Sequence, residues 1–235
     1  MTNIIILIRA YRLLVAFCLL CLAGNAIAGV VIGSTRVVVR ESHPQTTIYL
    51  HATGSIPYLV IGRVLNTSAR ISGDMSDKAE GFTVLPPAFV IKGGQERQLI
   101  IRTTDTQLPY DRESMMYFLV SALPEGGEDK NVVQVAVRTW IKLFFRPKAL
   151  EGQTISAVKV IRRDNEVIMK NVSPFYISLS GMQIGGREIR SPSDIIPFGE
   201  RRFQGCVVST TFCEVIWTQV GEDNRSRSYA ITLPR

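Results

Sequence analysis

Runs rich in Val, Ile and Thr fill this 235-residue chain. Turn residues separate them, as at Pro86-Pro87, Gly93-Gly94 and Gly126-Gly127. No stretch carries a capped helical stripe. The texture breaks once, after Arg146-Pro147, at a short polar segment. These observations predict an all-β fold of two immunoglobulin-like β-sandwiches, arranged as an angled pair with an interdomain cleft.

Residues 1–28 predict a signal peptide. Arg9 and Arg12 precede an apolar run over residues 13–23, and Ala26-Ile27-Ala28 follows the small-x-small rule for cleavage. The run is shorter than the roughly 20 apolar residues a membrane span needs. Cys18 and Cys21 lie inside it and would leave with the signal. The mature chain would begin at Gly29 and lie outside the cytoplasm. Loss of Arg9 and Arg12 removes two of the seven net positive charges, leaving +5. Export and the scatter of Lys and Arg among acids exclude a nucleic-acid partner and leave a basic surface suited to acidic partners.

In the first domain, residues 29–147, strand signals fall at 30–40, 46–50, 58–64, 82–85, 97–102, 115–122 and 132–145. Seven strands is the count of one immunoglobulin-type sandwich. Residues 148–153 are polar and suggest a hinge. In the second domain, residues 148–235, strand signals resume at 156–161, 166–171, 176–181, 201–208, 214–220 and 228–233.

Cys206 and Cys213 remain after export, and an even pair in an oxidising compartment predicts one disulfide. A two-residue turn at Ser209-Thr210 would set them opposite each other on a hairpin.

Catalytic and metal chemistry lacks its residues. The two histidines, His43 and His51, supply neither a metal ligand set nor a triad. The glycines between 181 and 186 have no Lys-Ser/Thr ending and predict a turn, not a phosphate loop. The expectation is a non-enzyme without cofactor or metal.

The last strand signal of the first domain is unusual. Val133, Val135 and Val137 share one parity with Ile141, while Ala136, Trp140 and Phe144 share the other. A strand with one wet face alternates apolar and polar residues. Two apolar faces predict that one packs in the core while the other awaits a partner.

Five segments carry a family resemblance. Residues 134–147, Gln-Val-Ala-Val-Arg-Thr-Trp-Ile-Lys-Leu-Phe-Phe-Arg-Pro, resemble the last first-domain strand of periplasmic pilus chaperones of the chaperone–usher pathway. Pro109-Tyr110-Asp111-Arg112-Glu113-Ser114 and Pro86-Pro87-Ala88-Phe89 resemble two more first-domain elements of that family. Asn171-Val172-Ser173-Pro174-Phe175-Tyr176 and Pro197-Phe198-Gly199 resemble two second-domain elements. The resemblance implies a chaperone that folds and caps pilin subunits by donor-strand complementation, then delivers them to an outer-membrane usher. Val133, Val135 and Val137 would fill the pilin's open groove. Arg36 and Lys142 would bind its C-terminal carboxylate in the cleft. Glu113, Arg146 and a third acid, matched here by Glu222, would form an interdomain ionic cluster. Family members carry Asn-Asp-Tyr-Gly at that third position, whereas this chain has Val220-Gly221-Glu222-Asp223. The short connection over residues 125–131 resembles the short-loop members that serve rod-like pili. An exposed apolar strand also predicts self-association of the free protein. A pilin would instead be a single incomplete sandwich with a donor extension, and this chain has two full strand sets.

Overall fold

The computed structural model describes residues 29–54, 56–125, 135–154, 158–192 and 194–235. The expected signal peptide and the short connection, apart from Glu125, lie outside the described residues.

The β-branched run over residues 30–40 forms two strands rather than one. β1 (Val30–Ile32) pairs antiparallel with β3 (Gln45–Ala52), and β2 (Arg36–Arg40) pairs parallel with β9 (Val137–Arg146). The break falls at Gly33-Ser34-Thr35, where the Gly33 amide donates to the Tyr49 carbonyl and the Ser34 hydroxyl to the Arg36 carbonyl. The chain thereby crosses from one sheet of the sandwich to the other. Period-2 patterning records which side chains face inward, not which neighbouring strand receives the backbone.

The remaining strands of the first sandwich are β4 (Tyr58–Leu65), β5 (Phe82–Leu85), β6 (Ala88–Ile91), β7 (Glu96–Thr103) and β8 (Ser114–Pro124). Among the described residues the sheet orders are β1-β3-β7-β5 and β2-β9-β8-β4-β6. Alternate residues meet between them: Ile48 and Leu50 of β3, Leu99 and Ile101 of β7, Val60 and Val64 of β4, Phe118 and Val120 of β8. A Cβ at Gly62 would lie 2.8 Å from Val84 Cγ1 and 3.2 Å from Leu99 Cδ1, so only glycine lets the two sheets approach there. A short helix, α1 (Thr67–Ser72), was not expected from the sequence. Gly73 ends it in the left-handed conformation, its amide donating to the Ala69 carbonyl. Six residues are too few to show a stripe. Tertiary packing holds the helix instead, through Ala69 against Leu65, Leu119 and Trp140.

The polar linker is not a free hinge. Lys148–Leu150 forms a 3-10 turn, Leu150 is buried, and the Lys148 amide donates to Glu41 Oε2. The second sandwich then comprises β10 (Lys159–Arg163), β11 (Glu166–Lys170), β12 (Ser178–Ile184), β13 (Arg187–Glu188), β14 (Glu200–Gln204), β15 (Phe212–Val220) and β16 (Ser226–Pro234). Sheets β10-β11-β14 and β13-β12-β15-β16 enclose Val167, Met169, Ile184, Val215 and Trp217.

Cys206 and Cys213 are disulfide-bonded with Cα atoms 5.7 Å apart. The expected hairpin around them does not form. Cys206 follows β14 in one sheet, and Cys213 lies in β15 of the other. The bond therefore staples the two sheets together at one end of the core, where both cysteines are buried.

Candidate functional site

β9 changes environment halfway along. In its second half, residues 142–145 lie between β2 and β8. Over residues 137–141 the described residues pair it with β8 alone. The backbone groups on its other side are thus left as an open edge. Val137 is 48% exposed and Val135, just before the strand, 69% exposed. Val133 lies outside the described residues.

The two-face expectation needs correction. Ile141, Leu143 and Phe145 have the same parity as Val137, and they are buried in the first-domain core. The valines therefore do not occupy a separate partner-facing side. One face is covered by the opposing sheet along half of its length and runs out past that cover along the rest. The other parity carries a different surface. Trp140 packs edge-on against Tyr117 at 5.7 Å between ring centroids. Arg70 of α1 lies over both rings, 5.2 Å from Tyr117 and 5.6 Å from Trp140.

Further along that second parity, Lys142 pairs in register with Arg36 across the parallel β2–β9 ladder. The chain crossover at Gly33-Ser34-Thr35 is what brings Arg36 to this place. Its guanidinium reaches into the second sandwich. Nη1 donates to the Val220 and Gly221 carbonyls, Nη2 donates to Ser178 Oγ, and the group lies 4.5 Å over the Phe144 ring. Its Nε is buried without a partner among the described residues. Burial lowers the Arg36 pKa, partly offset by the charges of Glu113 and Asp194. Lys142 Nζ lies 2.7 Å from each carboxylate oxygen of Asp194, on the segment between β13 and β14. Tyr176, stacked obliquely on Phe144 at 5.4 Å, closes the same region. Its phenol pKa is raised by burial first, then by the charges of Asp194 and Glu113.

A second charge cluster lies at the end of β9. Arg146 Nη2 donates to Glu113 Oε1 at 2.7 Å and Nε to the same oxygen at 3.0 Å. Its Nη1 donates to Glu222 Oε2 at 2.8 Å. Glu113 Oε2 accepts the Tyr176 amide at 2.8 Å, and Phe175 lies under the guanidinium at 4.8 Å. Arg40 adds an exposed ion pair to Glu222. Glu113, Arg146 and Glu222 thus come together between the sandwiches. Glu222 holds the third place despite the changed local sequence, because the turn after β15 presents its side chain to Arg146.

Asp194 and Ser178 join the site without any sequence signal, and Tyr176 and the Val220 and Gly221 carbonyls join it from segments that the sequence analysis compared with the family without assigning them this role. Backbone acceptors leave no trace in residue type. Asp194 looks like any polar loop residue until the chain folds. The second-domain segments that the sequence analysis singled out do hold it in place. The buried Asn171 amide donates to the Phe175 and Ile196 carbonyls, and Ile177 and Ile195 exchange backbone hydrogen bonds. Among the described residues no cluster of His, Cys, Asp and Glu could hold a metal ion, and no helix is long and apolar enough to cross a membrane.

The profile of the family described as pili and flagellar-assembly chaperone, PapD N-terminal domain, matches residues 29–151. The chain belongs to this family. The chaperone protein FimC of Escherichia coli K12 is 30% identical over 203 residues, covering 79% of this chain and 81% of that protein. The E. coli chaperone protein AfaB is 34% identical over 190 residues, covering 73% and 74%. Among solved structures, the E. coli chaperone DraB superposes with a TM-score of 0.72 at 28% identity, covering 86% of this chain and 97% of that one. A chain of the Salmonella enterica SafA pilin–SafB chaperone complex shares the fold, with a TM-score of 0.71 at 21% identity, covering 90% and 99%. Fimbrial chaperones of this family are periplasmic, and the two-sandwich architecture is theirs.

Proposed function

We propose that this protein is a non-enzymatic periplasmic chaperone that binds, folds and caps pilin subunits by donor-strand complementation and passes them to an outer-membrane usher. Residues 1–28 act as its export signal, residues 29–147 form the pilin-binding domain and residues 148–235 complete the cleft. The observation that carries this reading is the open half of β9. Among the described residues an edge without a strand partner, with Val135 and Val137 exposed, runs directly into a register position held by two cations. An immunoglobulin-like subunit lacking a strand presents the complement, an apolar groove bordered by unpaired backbone. Backbone hydrogen bonds along residues 137–141 supply attachment. Val133, Val135 and Val137 enter the groove, each contributing up to about 1.5–3 kcal/mol when fully buried. Arg36 and Lys142 hold the subunit's terminal carboxylate and so prevent the one-residue slip that would turn the valines away. Without a subunit, the same edge supports self-association. The short connection before β9 suits a rod-like pilus.

The test is co-expression of Val135→Glu with the pilin that co-purifies with the wild-type chaperone. The variant should reach the periplasm folded, since residue 135 is exposed, and should recover no pilin, since an unpaired carboxylate would enter an apolar groove. Normal pilin recovery would overturn the reading.

A further inference from the structure

Arg36 and Lys142 are not equally available to an incoming carboxylate. Arg36 already donates to two backbone carbonyls and a serine hydroxyl of the second sandwich. Its Nε is buried, so its further reach is small. Lys142 has three ammonium donors and is 35% exposed, the more open of its ion pair. Yet it is occupied. Both oxygens of Asp194 lie 2.7 Å from Nζ, and the Asp194 side chain is only 11% exposed. Asp194 is also held firmly. The next residue, Ile195, is fully buried and exchanges backbone hydrogen bonds with Ile177, and the Asp194 carbonyl accepts Arg201 Nε at 3.1 Å. The pair joins β9 of the first sandwich to a segment of the second, so it spans the cleft.

We propose that Asp194 is a built-in stand-in for the subunit carboxylate: it caps Lys142 in the free chaperone, and the pilin's C-terminus must displace it. This rests on the donor-strand reading and adds a competing residue to it. Two carboxylates on one ammonium repel each other in a partly desolvated cleft, so both cannot hold it at full strength. The capped cation is less exposed to adventitious anions, and binding is reserved for ligands whose valine-groove contacts repay the exchange. Where the binding-competent state is a fraction of the population, apparent affinity falls by that fraction. An Asp194 cap closed nine-tenths of the time therefore weakens carboxylate capture about tenfold.

The experiment uses the C-terminal peptide of the pilin that co-purifies with the chaperone, made as the free acid and as the amide. Both are titrated against the mature wild-type protein and the Asp194→Asn variant. Capping predicts that Asp194→Asn binds the free acid about tenfold tighter and the amide unchanged. It also predicts faster acetylation of Lys142 in the variant, scored against Lys159 as an internal reference. If Asp194 were only a strut across the cleft, Asp194→Asn would bind both peptides equally or more weakly, and that result overturns the inference. Unchanged Lys142 acetylation overturns it as well. Failure of the free acid to bind either protein overturns the donor-strand reading, and the inference falls with it.

Discussion

Two cation–carboxylate sites lie along the same strand, four residues apart, and they differ in how far water reaches them. At Arg146 the guanidinium is 10% exposed and its Glu113 partner 3% exposed. At Lys142 the ammonium is 35% exposed. The first is engaged at every nitrogen of its guanidinium. Arg146 uses Nε, Nη1 and Nη2, and Glu113 accepts from both Arg146 and the Tyr176 amide. The second is a compact ion with a donor to spare. A closed site, bonded at each guanidinium nitrogen, can hold two sandwiches together. A half-open one can exchange its carboxylate. Chemistry reinforces the division, since arginine's planar fork suits a fixed multi-point contact and lysine's ammonium a replaceable one.

The sharpest way to break this comparison is to cut one partner from each site. Lys142→Ala should leave the protein folded with some loss of stability, since the ammonium is 35% exposed but its Asp194 partner only 11%. Its effect should appear in capture, where losing one partner of a desolvated charge pair costs about 2–5 kcal/mol, a roughly 30- to 5,000-fold loss in affinity. Periplasmic recovery of the co-expressed pilin measures it. Normal recovery with a folded variant would remove Lys142 from the anchor. Glu113→Ala should show the opposite profile. It leaves a buried guanidinium short of its main partner, which costs about 3–5 kcal/mol in stability. Denaturant unfolding of the mature protein measures this, and a loss below about 1 kcal/mol would mean that water reaches the cluster.

A smaller effect is expected from the staple at the far end of the second sandwich. Replacing both Cys206 and Cys213 with Ala should destabilise that sandwich by about 2.5 kcal/mol on the chain-entropy account of a short closed loop. Pilin capture should be largely kept, because β9 is in the other sandwich. Smallest of all should be Arg40→Ala. Arg40 pairs with Glu222 where both side chains are more than a third exposed, so its loss should cost under about 1 kcal/mol in unfolding. A large loss there would show that Arg40, not Arg146, holds Glu222 in place.

The Cys206–Cys213 pair shows where sequence reasoning reached its limit. Two cysteines remaining after an export signal predict a bond, because redox compartment and parity are properties of composition. That the bond would join two sheets rather than two strands of a hairpin depended on where β14 and β15 pair, more distant information. The run over residues 30–40 behaves alike. Its β-branched residues announced strand, and the sheet crossover at Gly33-Ser34-Thr35 was visible only once β3 and β9 were in place. Helix α1 carried no periodic signal, because it is held by Leu65, Leu119 and Trp140 and not by its own six residues.

The sequence alone determined the all-β class, the two strand sets, the position of Arg36, Lys142, Glu113 and Arg146 within family motifs, and the valine parity before β9. These are local properties: alternation has a period of two residues, and a motif is a string. Tertiary structure alone decided that the valine face is the core face extended past its cover, that Arg36 and Lys142 stand in register across a parallel ladder, and that Asp194 meets Lys142 from 52 residues away in the chain. Each depends on which strand lies next to which and on where the opposing sheet ends. Those are set by the burial of the whole core, and no stretch of sequence encodes them by itself.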